Sequence, residues 1–571
     1  MARLFDEHVK RSVKPLTGEW HFVKDPEDLG MKEAWYRTLP AGETVTVPSV
    51  WNTKLGCLTY EGVAWYEKSF YSEGGTLRFC FGAVMTEARV WLDGEELGSH
   101  YGGFSAFDFI VYGVCEGTHT LTVRVDNCFD ACSIPQQRVD WYHYGGITRE
   151  VSVERLCGIS VLRSRFEYSL DESLSSARGR LVLELCNASD EPLEEKVCAL
   201  LDRDRIGESL VVLGARERAT VTLPEFEIKD LELWEVGSPR LYTLSVSTER
   251  DDLIDRVGFR RVEVQGQKLL LNGREIEIRG VNRHEEHPDW GFAFPEGLMR
   301  RDIDLILEMG CNAVRGSHYP NSKVFLDMMD AYGILFWSEI PIWGWGFSEE
   351  ALADPVVVGR GLEMHREMVE QYYNHPSIII WGMHNEIQLK TQAAYRMTEK
   401  YYAYLKENGG NRAVVYASDK PWEDICFGLC DIICLNQYYG WYYGYEADAW
   451  EKFLEKFGAH TKEIGVDNKP IIISEFGGAA LYGCHDDEGI LWSEENQALQ
   501  LGHALEIFHA HPGVIGCFIW QFADIRTCLE AGLNRARGFN NKGMLNEYRK
   551  PKLAYRVAKE KYVSFANEEK E

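Results

Sequence analysis

NHPSIIIWGMHNE, residues 374–386, begins with a Pro-containing turn, runs through an apolar stretch, and closes on His384, Asn385 and Glu386. The run is too short for an amphipathic helix and shows no polar alternation. It reads as a strand buried on both faces, with its polar residues gathered at the C-terminal end. IIISEFG, residues 471–477, repeats the design and ends on Glu475. Six more runs of this kind surround the pair: IEIRGV (276–281), CNAVRGS (311–317), ILFWSE (334–339), AVVYAS (413–418), IICLNQ (432–437) and IGCFIWQF (515–522). Helical patterns such as RRDIDLILEMG, EMHREMVEQYYN and SEENQALQLGHALEIFHAH lie between most of them. Eight such repeats predict a (β/α)8 TIM barrel over 263–571. The short interval between the fifth and sixth strands predicts an irregular helix there.

The chain ahead of the barrel has a different rhythm. Alternating runs such as TLRFCF (76–81), ARVWLDG (88–94) and HTLTVRVDN (119–127), punctuated by Gly and Asp, predict a β jelly roll over 1–157. RLVLELCN, ATVTLPEFEI and RLYTLSVSTE predict an immunoglobulin-like β-sandwich over 158–262.

Composition narrows the function. A net charge of −28 disfavours nucleic acid and anionic membranes as partners, and an acidic substrate would need a local cation. Fifteen cysteines without a CxxC motif favour a reducing, cytoplasmic setting over a disulfide framework. No signal-like apolar segment opens the sequence and no window is long enough to span a bilayer. RHEEH (283–287) lacks HExxH spacing, and neither G-x-S-x-G nor a phosphate-binding loop is present. No cofactor and no metal are expected.

In a TIM barrel the chemistry sits where the strands end. Strands four and seven end on Glu386 and Glu475, the paired carboxylates that glycoside hydrolysis requires. A single glutamate at a strand end is more often a cap or an ion-pair partner; two in this arrangement, one preceded by Asn385, point to a glycosidase. Glu386 is expected as acid/base and Glu475 as nucleophile. Asn385 is placed to bond a sugar 2-hydroxyl, and Asn436 closes strand six.

Together these segments resemble glycoside hydrolase family 2, over almost the whole chain and in domain order. NGREIEIRGVNRHEE (272–286) is similar to the start of that family's barrel, RGSHYP (315–320) to its second-strand motif, NHPSIIIWGMHNE to its acid/base signature and ISEFG (473–477) to its nucleophile signature. DWYHYGGITRE (140–150) resembles the loop with which the first domain reaches the active site. The resemblance implies a retaining β-glycosidase and a homodimer or homotetramer. The family divides by sugar, and GFNNKG (538–543) is similar to the Asn-x-Lys motif that β-glucuronidases set against the substrate carboxylate. It implies Asn540 and Lys542 as carboxylate ligands, Tyr438 and Tyr442 (in LNQYYGWY, 435–442) as pocket walls, Asp140 and His318 as hydroxyl partners and Trp520 under the ring. Arg537 is added on proximity alone. The expected substrate is a β-glucuronide, with a β-galacturonide as the alternative; a β-galactosidase or a non-catalytic sugar-binding protein is a weaker fit. PIWGWGFSEEALADPVVVGRG (341–361) is shorter than the loop of several bacterial glucuronidases. It predicts an open site suited to oligosaccharides, with Trp343 and Trp345 as candidate platforms.

Overall fold

The computed structural model describes residues 3–568 except 345, 444, 445, 447, 533 and 534; Trp345 therefore lies outside the described residues. Its centre is a closed barrel of eight parallel strands in sequential order. They are β1 (Ile278–Asn282), β2 (Ala313–Gly316), β3 (Leu335–Glu339), β4 (Ile378–Asn385), β5 (Ala413–Ser418), β6 (Ile433–Asn436), β7 (Ile471–Phe476) and β8 (Val514–Ile519). Every residue of these strands is buried, as expected for a parallel sheet covered on both faces.

The helices begin and end where local chemistry dictates. Ser322 caps Lys323–Tyr332 by accepting from the Phe325 amide, and Gly333 ends that helix at φ 66°. Asp354 caps Pro355–Tyr372, whose first residue is a proline, so one unsatisfied N–H is absent from the start. Between β5 and β6 the chain makes only a 3-10 turn, Phe427–Leu429, because little chain separates the two strands.

Two β units precede the barrel. In the first, a six-stranded sheet faces a four-stranded one across a core that includes Trp20, Tyr66, Phe79 and Val123. In the second, a sheet built on Ile159–Leu170 and Ser176–Asn187 faces one built on Leu193–Leu201 and Tyr242–Ser247. Charged side chains tie the three units together. Arg11 pairs with Asp251 at 2.6 Å and Glu154 at 2.8 Å, and Arg3 joins Asp327 at 2.8 Å and Asp255 at 3.0 Å. Among the described residues no helix is long and apolar enough to cross a membrane.

The RHEEH segment follows β1 and seats the first unit on the barrel. Arg149 donates to Glu285 at 3.0 Å, and the Tyr144 hydroxyl donates to Glu286 at 2.5 Å. That contact carries the loop 138–144 across the barrel mouth.

Candidate active site

β4 and β7 deliver Glu386 and Glu475 to one cavity of about 470 Å3 at the C-terminal end of the barrel. Glu386 lies one residue beyond β4 at φ 51°, in the left-handed region that a non-glycine residue seldom occupies. Such strain persists where the surroundings hold a side chain in place.

The two carboxyls have different surroundings. Glu475 has a donor on each oxygen: Arg315 Nη1 at 2.8 Å from Oε1 and the Tyr438 hydroxyl at 2.7 Å from Oε2. Glu386 accepts from Asn436 Nδ2 at 2.8 Å, and Ser474 orients that amide by donating to its Oδ1 at 2.7 Å. Burial pushes both carboxyls above their ordinary range. For Glu386 the negative charges of Glu475 and Asp419 add to burial. For Glu475 the Arg315 guanidinium and the Tyr438 hydroxyl oppose it. These surroundings favour the proton on Glu386 over Glu475, the ordering that an acid and a nucleophile would require.

Arg315, on β2, also donates to Glu339 Oε1 at 3.0 Å and to Asn385 Oδ1 at 2.7 Å. Asn385 is thereby fixed with its Nδ2 buried and without a hydrogen-bond partner among the described residues. His318 Nδ1 lies 2.7 Å from Glu339 Oε1. Burial, aided by Arg315, holds the His318 imidazole well below its usual range. A neutral ring that donates from Nδ1 to Glu339 leaves Nε2 as an acceptor; Nε2 has no hydrogen-bond partner among the described residues and lies 3.9 Å from Glu475 Oε1. Trp520 stacks on His318 with centroids 5.1 Å apart and lines the cavity.

At the other side Lys542 is 3% exposed. Its Nζ donates to the Tyr442 hydroxyl at 2.7 Å and lies 5.1 Å from the Tyr438 ring centroid. No carboxylate among the described residues pairs with it. Asn540 is not among the residues that line the cavity. Its Nδ2 donates to Asp140 Oδ2 at 2.8 Å and its Oδ1 accepts from the Lys542 amide, so it shapes the turn that presents the lysine. Asp140 lines the cavity but is also bound by Arg535 at 2.7 Å.

Arg537 does not join this group. It sits at φ 59°, a left-handed turn, and its guanidinium pairs with Glu547 at 2.9 Å; of the two neighbouring arginines it is Arg535 that lines the cavity. Arg535, like Arg537, lies just upstream of the Asn-x-Lys motif in sequence, and no motif singles out Arg315, Arg138 or Asp419. Arg315 alone left a signal, as an arginine inside an otherwise apolar barrel strand.

Comparison with known proteins agrees with this geometry. Residues 13–156 match the glycosyl hydrolases family 2 sugar binding domain, residues 161–260 a further glycosyl hydrolases family 2 domain, and residues 262–567 that family's TIM barrel domain. A β-glucuronidase of Paenibacillus borealis is 26% identical over 603 residues, with 97% of each chain covered. Among solved structures, a GH2 β-galacturonidase from Eisenbergiella tayi bound to galacturonate superposes with a TM-score of 0.92 at 33% identity, covering 99% of both chains. The β-glucuronidase of Ruminococcus gnavus superposes with a TM-score of 0.87 at 27% identity, covering 98% of this chain and 99% of that one.

Proposed function

Because the chain belongs to glycoside hydrolase family 2, we propose that it hydrolyses β-D-uronides with retention, glucuronides foremost, using Glu475 as nucleophile and Glu386 as acid and base. The observation that carries the uronide assignment is Lys542: a buried cation that faces the cavity and has no carboxylate partner among the described residues. A buried charge is costly unless it is paired. A sugar carboxylate at C6 is the partner it lacks, and the Tyr442 hydroxyl and the aromatic faces keep the ammonium in place meanwhile.

The reaction proceeds in two displacements. Ionised Glu475 attacks the anomeric carbon while Glu386 passes its proton to the leaving oxygen, and the C1–O bond breaks. Water then enters, gives its proton to Glu386, and attacks C1 from the leaving-group side. The sugar is released with its original configuration and Glu475 regains its charge. Asn385 Nδ2 is placed to donate to the 2-hydroxyl, and His318 Nε2 to accept from a ring hydroxyl. The curated full-length relatives named β-glucuronidase support the glucuronide reading. The structure of a galacturonidase at 33% identity supports β-galacturonides as the second, since the two sugars share the carboxylate and differ only at C4. We further place the enzyme in a reducing cytoplasm as a homo-oligomer, a reading that rests on its free-thiol composition and on the family.

The test is a parallel assay of aryl β-glucuronide, β-galacturonide and β-galactoside with wild type and Lys542→Ala. The variant should lose about 100-fold or more in kcat/KM on uronides, as expected when a buried charge pair is broken. An unaltered uronide rate would overturn the assignment, and a glucuronide-to-galacturonide ratio below one would select the second reading.

A further inference from the structure

The cavity contains more positive charge than one uronate uses. Of its lining residues, Arg138, Arg535 and Lys542 are cations, and Asp140, Asp419, Glu386 and Glu475 are acids. Arg535 is taken by Asp140 at 2.7 Å. Asp419 is in contact with Lys420. Glu475 is taken by Arg315 at 2.8 Å, and Glu386 accepts from Asn436 at 2.8 Å in surroundings that favour its neutral form. Two cations are left over. Lys542 is assigned to the sugar that is cleaved. Arg138 is the other: it is exposed, it lines the cavity, and its guanidinium makes no hydrogen bond or ion pair among the described residues.

Its position is on the leaving-group side. Trp343 pairs with the backbone of Asn385, the residue before the acid, and the Gly344 amide donates to the Asn385 carbonyl at 2.8 Å. Two residues further on, Gly346 packs on the loop that carries Arg138: an added Cβ would come 2.9 Å from the Gln136 side chain and 3.5 Å from the Arg138 carbonyl. Trp343, Gly346, Arg138 and Glu386 thus border one stretch of the cavity, and the leaving oxygen departs beside Glu386. The cavity's 470 Å3 lies in the range that encloses a drug-sized ligand, which is more than a single pyranose needs.

On the uronide reading above, we infer that the leaving group is an anionic sugar, with its ring against Trp343 and its carboxylate or sulfate paired with Arg138. The substrate is then an acidic glycan carrying negative charge on both sides of the scissile bond. A chain of net charge −28 repels such a molecule at long range, so each charge of the substrate needs its own cation.

The experiment measures kcat/KM of the full-length enzyme on three disaccharides with the same non-reducing β-uronate. The reducing sugar is a neutral hexose, a uronate or a sulfated hexose, and an aryl uronide is run alongside. Wild type should favour the anionic disaccharides over the neutral one. Arg138→Gln should lower the anionic-to-neutral ratio about fivefold, the size of one partly exposed charge pair, and Arg138→Lys should restore part of it. Comparison of the two anionic substrates tells carboxylate from sulfate. A ratio that is the same in wild type and Arg138→Gln, or a wild-type preference for the neutral disaccharide, overturns the inference while uronide cleavage stands. Absence of cleavage of every uronide, the aryl one included, overturns the uronide reading on which it rests.

Discussion

Arg315 Nη1 lies 2.8 Å from Glu475 Oε1, with both side chains sealed from solvent at 0% and 4% exposure. The same guanidinium grips Glu339, so one cation serves two buried carboxylates. Removing it leaves both without that cation, with the Tyr438 hydroxyl still on Glu475 and the His318 ring still on Glu339. Arg315→Met is expected to cost about 3–5 kcal/mol of stability, the usual penalty for breaking a buried pair. It also raises the affinity of Glu475 for a proton, so the acid limb of the kcat/KM profile should move to higher pH. Thermal unfolding and a pH series check both; an acid limb at its original position would show that Arg315 does not tune the nucleophile.

Glu475→Gln keeps the shape and most hydrogen bonds of the side chain but cannot attack C1. Turnover should fall at least about 10⁴-fold with the melting temperature nearly preserved. Substantial residual hydrolysis would remove Glu475 from its role. A mechanism-based label that traps the nucleophile should modify wild type at this residue and leave the variant unmodified.

Asp419 adds its charge to burial and to Glu475 in keeping the proton on Glu386. Asp419→Asn deletes one of those contributions, so Glu386 loses its proton at lower pH. The alkaline limb of kcat/KM should then shift to lower pH while the acid limb, set by Glu475, moves little. A profile identical to wild type would exclude Asp419 from tuning the acid.

Arg11 tests stability apart from catalysis, because its partners Asp251 and Glu154 lie far from the cavity. Burial alone would raise the Glu154 carboxyl, but Arg78 and Arg11 more than offset it and hold it well below the usual range. Its contribution to stability is therefore complete above the unfolded-state pKa, about 4.3, and is lost as pH falls toward the folded one. Arg11→Ala should lower stability by about 3–5 kcal/mol near neutrality. Below pH 4 the gap to wild type should narrow. Denaturant titrations at several pH values measure it, and kcat should not change.

The barrel was legible because its strands carry two signals at once. IIIWGMHNE and IIISEFG are apolar along the barrel wall and turn polar where they reach the mouth, so the fold and the positions of Glu386 and Glu475 come from the same letters. The contacts between elements were not legible in this way. Arg315 draws its partners from β3, β4 and β7, and no local spacing encodes that convergence. Arg535 and Arg537 differ by two positions, and a left-handed residue decides which one enters the cavity. Asn540 reads as a ligand beside Lys542, but its amide donates to Asp140, a residue of the first domain.

That last bond joins residues 400 positions apart. Arg535 grips the same Asp140 at 2.7 Å, and the Asn540 side chain also accepts from the Lys542 amide, so the turn that carries the lysine is moored to the first domain. The front domain is in this way a wall of the cavity as well as its neighbour.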